Sequence, residues 1–349
     1  DDVAEDAALL SRAVGKPVRV QWMREDEHGW EPKGPAQVVT VGAGVDAQGK
    51  IIAWDFLDRS LPRTAGEGLP LLASRQIGLK PKSQGTANGT QGGGELYTFD
   101  NQKVASAQIP WIQPDEIPLR TSNLRAPGQL ARSFASESFL DEIAADLAVD
   151  PVQFRFRYLG DKKREMEALV AVAQKAGWQE RPSPAPASSS STVTGRGVAL
   201  SSRSNTLVGA VADVEVDKSS GKVSVKRMTI SHDCGLIVNP DGLKNQIEGN
   251  VIQAISRALF EEVQFDATQI KTLDWNSYPV LTFADVPEID IVLINRPEME
   301  ALGAGEPSIV PVTGAIANAI FDATGARLRD VPFTPARVLG AIKTGTPRS

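Results

Sequence analysis

Between residues 209 and 260 the hydrophobic periodicity changes abruptly, and that change limits the fold to a few layered arrangements. Gly209 to Asp217 and Val223 to Ser231 alternate as strands around the turn Ser219-Ser-Gly-Lys222. Asn239 and Pro240 then supply a cap and a first-turn proline, and Leu243, Ile247, Val251, Ile255 and Leu259 form one stripe ending near Phe260. A hairpin and a one-sided helix each need a second layer to cover their apolar face. The same grammar recurs. A helix opens the chain (Val3, Leu9, Leu10, Val14), Val18 to Trp22 reads as a strand, and Gln37 to Val45 with Ile51 to Asp58 reads as a hairpin around Asp46–Lys50. Phe134, Phe139, Ile143 and Leu147 recur at helical spacing, and Asp150-Pro151 starts another helix. Pro311 to Thr324 is helical with Gly325 as its stop, and Thr334 caps a last helix. This pattern predicts an α+β fold of mixed sheets with packed helices.

A chain of 349 residues can hold two or three cores. Composition divides it into residues 1–180, which include a Gly/Pro/Ser/Gln-rich loop at 60–102, a Pro/Ser-rich solvated linker at 181–194, and residues 195–349. Within the loop, Gly92-Gly-Gly94 precedes no helix and reads as flexible rather than as a phosphate loop. The net charge of −6 disfavours a general affinity for nucleic acid, and no run of about 18 apolar residues offers a membrane span. One cysteine, Cys234, and two histidines, His28 and His232, are a poor supply for a protein-built metal cage, so no residue is assigned as a metal ligand. A lone cysteine reads as a small buried apolar group. The scattered tryptophans read as packing residues.

Five segments carry a more specific signal. They are Gly15-Lys-Pro-Val-Arg-Val-Gln-Trp-Met-Arg-Glu-Asp-Glu27, Leu124-Arg-Ala-Pro-Gly128 running into Phe134-Ala-Ser-Glu-Ser-Phe-Leu-Asp-Glu142, Asp150-Pro-Val-Gln-Phe-Arg-Phe-Arg-Tyr-Leu159, Val238-Asn-Pro-Asp-Gly-Leu-Lys-Asn-Gln-Ile-Glu-Gly249, and Gly303-Ala-Gly-Glu-Pro-Ser308. In this order they resemble the molybdopterin-binding large subunit of the xanthine dehydrogenase/aldehyde oxidase family, in particular its isoquinoline 1-oxidoreductase and nicotinate dehydrogenase members. The resemblance implies the carboxy-terminal half of such a subunit: the end of one molybdenum-binding domain and the whole of a second. It further implies a bacterial oxidoreductase that adds a water-derived oxygen to an N-heteroaromatic or aldehyde carbon. Its cofactor would be a molybdenum–molybdopterin cytosine dinucleotide, with the metal held by the pterin. Partners would be a small subunit with [2Fe–2S] clusters, the amino-terminal molybdenum-domain segment, and a cytochrome c as further acceptor. Cytoplasm and periplasm stay equally open.

By the same resemblance Glu306 is the catalytic base, and Arg125, Gly128, Gln246, Gly303 and Gly305 line the cofactor. The chemistry agrees. A general base needs a carboxylate within hydrogen-bond reach of the proton it takes. Glycines lack a Cβ and let backbone approach a bulky group. Arginine offers a fixed donor fork, and a glutamine amide can donate without adding charge. Without the resemblance, Glu306 reads as an exposed loop carboxylate, Arg125 as a turn arginine and Gln246 as a polar helix flank. Many family members carry a glutamine where this chain has Ala131, which removes one cofactor contact. Two further readings stand beside the enzyme: a non-catalytic partial subunit that needs its amino-terminal half to bind cofactor, and a hydrolase pairing Glu306 with Asp233 or another acid.

Overall fold

The computed structural model describes residues 2–62, 72–78, 92–109 and 119–345. Most of the expected 60–102 loop, together with Trp111, lies outside the described residues. The elements follow in order: α1 (Asp2–Val14), α2 (Arg24–Trp30), β1 (Gln37–Val45), β2 (Ile51–Ser60), α3 (Leu72–Gln76), β3 (Gln102–Gln108), α4 (Gln129–Asp146), α5 (Pro151–Leu159) and α6 (Lys163–Ala176). Then come β4 (Thr192–Arg203), β5 (Thr206–Asp217), β6 (Val223–Asp233), α7 (Pro240–Leu259), β7 (Glu288–Leu293), α8 (Val312–Thr324) and α9 (Pro335–Thr344), with short 3-10 turns at Phe283–Asp285 and Pro307–Ile309. This is an α+β fold.

Both sheets start from a local antiparallel hairpin and add a parallel strand from further along the chain. The first has the order β1-β2-β3, with β3 parallel to β2; the second has the order β4-β5-β6-β7, with β7 parallel to β6. The second sheet is covered on both faces. Its strand β4 presents Gly195 and Gly197 to α8 so closely that a Cβ on Gly197 would lie 2.2 Å from the Ala319 amide nitrogen and 2.3 Å from the Ala315 carbonyl oxygen. The opposite face meets α6, where a Cβ on Gly209 would lie 2.8 Å from Val172. Small residues on successive same-face positions of the strands therefore set how close the helices come. The stripe on α7 is buried against this sheet and α8, as its spacing requires, and Asn239 caps the helix by accepting from the Gly242 amide at 2.9 Å. Helix α8 is buried nearly all round, because it lies between the sheet and α4.

Glu137 on α4 ties these layers together. Its carboxylate accepts from the Tyr97 hydroxyl, the Arg155 guanidinium and the Leu200 amide, each at 2.9 Å, with Glu137 and Arg155 both buried. A buried charge persists only when paired and hydrogen-bonded in this way.

Three expectations need correction. Val18 to Trp22 joins no ladder among the described residues. A strand exists only where a neighbour takes up its backbone groups, and here Trp22 instead donates from its indole to Asp6 at 2.9 Å. Directly after it the chain turns into α2, whose first turn is held by the Met23 amide donating to Asp26 at 2.8 Å. Gly92-Gly-Gly94 is not a flexible loop. Gly93 and Gly94 are buried, the Gly93 carbonyl accepts from the Trp54 indole at 2.8 Å, and a Cβ on Gly94 would lie 2.7 Å from that nitrogen. In the linker segment, residues 184–192 are mostly exposed. At its start, however, Arg181 and buried Ser183 both bond Asp322 of α8, and β4 begins at Thr192.

Candidate active site

Glu306 ends an irregular stretch after β7 and precedes the 3-10 turn Pro307–Ile309, which runs into α8. Its side chain is 37% exposed and spans two neighbours. Oε1 accepts from the Ala126 amide at 3.0 Å, and Oε2 accepts from Arg203, whose Nε lies at 2.7 Å and whose Nη2 also donates. The Ala126 contact joins the Glu306 loop to the Arg125 turn, 180 residues earlier in the chain.

That turn leads into α4. Ala126 adopts φ +56° and Gly128, the cap of α4, φ +72°. The first is a left-handed conformation uncommon for a residue with a Cβ; such backbone persists only where the surroundings over-determine it. Helix α7 supplies part of that support, since Arg257 donates to the Arg125 carbonyl at 3.0 Å. Earlier on α7 stand Asn250 and Gln246. Buried Asn250 donates from Nδ2 to the Gln246 carbonyl at 2.6 Å and to the Gly305 carbonyl at 3.2 Å. The Gln246 amide nitrogen lies 3.9 Å from where a Cβ on Gly305 would be, and the Arg125 guanidinium lies 3.9 Å from where one on Gly249 would be. Gly303 meets nothing within 4 Å on that side, while its carbonyl accepts from Thr206 at 2.8 Å.

The residues singled out from the sequence thus converge: Glu306, Gly303 and Gly305 on one loop, Arg125 and Gly128 on one turn, Gln246 on α7. Their arrangement offers unpartnered donors to a polar ligand. The side chains of Arg125 and Gln246 make no hydrogen bond or ion pair with other described residues, and Gly303 leaves its side-chain space open. Among the described residues no group of three His, Cys, Asp or Glu side chains could hold a metal ion, and no helix is long and apolar enough to cross a membrane.

Arg203, Gln129, Thr206 and Asn250 were not singled out from the sequence. Arg203 closes β4, and the Ser204-Asn205 pair that follows has both residues at positive φ; an asparagine in a two-residue connection is the signal that could have marked this hairpin and its flanking arginine. Gln129 does not replace the glutamine that the resemblance leads one to expect at position 131, because it is fully buried and committed to Arg203 and the Ser202 carbonyl. Asp233 is equally committed. Arg164 bonds it at 2.8 and 3.1 Å and Arg296 at 2.6 Å. Burial opposes its charge, but the two guanidinium groups and the Gly235 amide outweigh this and hold its carboxyl below the usual range. A carboxylate so fixed is no partner for paired-acid hydrolysis. Cys234 is buried, which pushes its thiol up.

A family profile for the molybdopterin cofactor-binding domain matches residues 132–287. The chain is 40% identical to the B subunit of nicotinate dehydrogenase from Pseudomonas putida across 98% of its own length and 29% of that protein. It is 31% identical to the beta subunit of isoquinoline 1-oxidoreductase from Brevundimonas diminuta across 95% of its length and 40% of that protein. The chain therefore spans less than half the length of these relatives. Its fold resembles that of quinoline 2-oxidoreductase from Pseudomonas putida 86, with a TM-score of 0.74 at 16% identity over 97% of this chain and 66% of that one. Aldehyde oxidoreductase from Desulfovibrio gigas gives a TM-score of 0.72 at 17% identity, over 96% and 52%.

Proposed function

The chain belongs to the family of molybdopterin-binding subunits that includes the xanthine dehydrogenases and aldehyde oxidases, and on that footing we propose that it supplies the base and part of the cofactor cradle of a molybdenum hydroxylase. The reaction adds a water-derived oxygen to an electron-poor carbon of an N-heteroaromatic compound or an aldehyde. When bound, the molybdenum–pterin cytosine dinucleotide supplies the metal centre that activates the oxygen and takes up two electrons. Glu306 takes the proton. Its carboxylate is held by the Ala126 amide and Arg203, which fix where that proton lands. Gln246 and Arg125 donate hydrogen bonds to the cofactor, and Gly128, Gly303 and Gly305 let the backbone approach it. Electrons leave through a small subunit carrying [2Fe–2S] clusters, with a cytochrome c as a further acceptor.

One observation carries this reading. The Glu306 carboxylate meets the Arg125 turn at the Ala126 amide, beside a Gln246 whose amide has no partner among the described residues. A second reading, a unit that folds but holds no cofactor without the rest of the subunit, is favoured by the open side of Gly303, which no described residue covers. Both readings are tested by preparing the chain alone and together with the remaining subunit segments. Molybdenum content is measured in each, and N-heterocycle or aldehyde turnover is followed in ¹⁸O-labelled water. The expected outcome is molybdenum and labelled product in the assembled protein. Molybdenum with unlabelled product would refute the hydroxylase; molybdenum held by the chain alone would refute the second reading.

A further inference from the structure

Besides the Ala126 amide, three contacts pin the loop that carries Glu306, and two of them come from one hairpin tip. Thr206 donates to the Gly303 carbonyl at 2.8 Å, Asn250 of α7 donates to the Gly305 carbonyl, and Arg203 grips the Glu306 carboxylate. Arg203 and Thr206 flank the Ser204-Asn205 turn and pair with each other across β4 and β5. The tip therefore touches both ends of the Gly303–Glu306 loop. Arg203 is itself oriented: its Nη1 donates to Gln129 Oε1 at 2.8 Å, and buried Gln129 donates onward to the Ser202 carbonyl at 2.5 Å.

We infer that Arg203 is a positioning residue that aims the Glu306 carboxylate at the Ala126 amide. The inference rests on the proposed role of Glu306. A glutamate side chain has several rotamers of similar energy, and one hydrogen bond at Oε1 leaves Oε2 free to turn. Two donors on Oε2 from one rigid guanidinium plane remove that freedom, while the third nitrogen anchors the plane to Gln129. Lysine would keep the charge and lose the simultaneous hold on both partners. The pair is partly exposed, 20% at Arg203 and 37% at Glu306. Ion pairs in such settings add little to stability, so the contribution of Arg203 lies in geometry.

The test uses the full-length subunit with Arg203→Ala and Arg203→Lys. Carbodiimide coupling to Glu306, read by mass spectrometry, and amide exchange at Ala126 are measured before any turnover assay. In Arg203→Ala both rates should rise about tenfold with the thermal midpoint and molybdenum content unchanged, and kcat should fall about tenfold or more with KM held. Arg203→Lys should fall between that variant and the unmodified protein. Coupling and exchange rates in Arg203→Ala equal to those of the unmodified protein would overturn the inference, whatever the turnover. Raised rates in Arg203→Ala alongside full turnover in Glu306→Gln would keep the positioning and remove the proposed base.

Discussion

His232 lies fully buried beneath the Glu306 turn, and its Nδ1 shares a hydrogen bond of 2.9 Å with the hydroxyl of Ser308, two residues past Glu306. Burial pushes its pKa down to about 4, against the attraction of Asp233. The imidazole is therefore neutral in the fold near pH 7, whereas the unfolded chain protonates it near the ordinary value of about 6.5. The sign follows. Above that value the histidine adds no pH dependence, and as pH falls toward 4 the unfolded state gains protons that the fold refuses. Between pH 7.5 and 5 this removes about 2 kcal/mol of stability. Urea denaturation at the two pH values should show a smaller loss in His232→Gln than in the unmodified protein; equal losses would contradict the buried neutral histidine.

At the scale of elements, packing at the glycines separates fold from site. Gly197→Ala drives a Cβ into the backbone of α8, with no flexible side chain to yield, and should cost about 3 kcal/mol or more. Gly303→Ala meets nothing within 4 Å and should leave stability within about 0.5 kcal/mol. If Gly303 faces the cofactor as proposed, the second variant alone should reduce molybdenum content in the assembled protein; denaturation curves and metal analysis check the pair. The sequence pattern made the local devices readable: the hairpins at 37–60 and 206–233, the Asn239, Asp150 and Thr334 caps, the α7 stripe, and the Gly325 stop. Strand β4 was hidden because its first residues follow a serine run and its same-face positions are Gly195, Gly197 and Ala199, a pattern with no apolar signal. The joining of β3 to β2 was hidden for another reason. A parallel partner lies far along the chain and leaves no local mark.

The whole molecule brings residues from distant parts of the described chain to one polar face. Arg125 and Gly128 precede α4, Gln246 lies on α7, and Glu306 leads into α8, while the buried Glu137 network holds α4, α5 and β4 in register. The convergence of Arg125, Gln246 and Glu306 was legible only through the resemblance of ordered segments to a known family. Arg203, Gln129 and Asn250 were not, since their roles arise from contacts across 55 to 103 residues of chain. A carboxylate poised between the Ala126 amide and Arg203, against a molybdenum–pterin cofactor, is the centre of this account. Its most direct test is Glu306→Gln in the assembled, molybdenum-loaded protein, with kcat and metal content measured on the same preparation. Molybdenum should stay at the level of the unmodified protein while kcat falls by about 10²–10⁴-fold, the range for loss of a general base; a loaded variant that turns over within a few-fold of the unmodified protein would contradict the account.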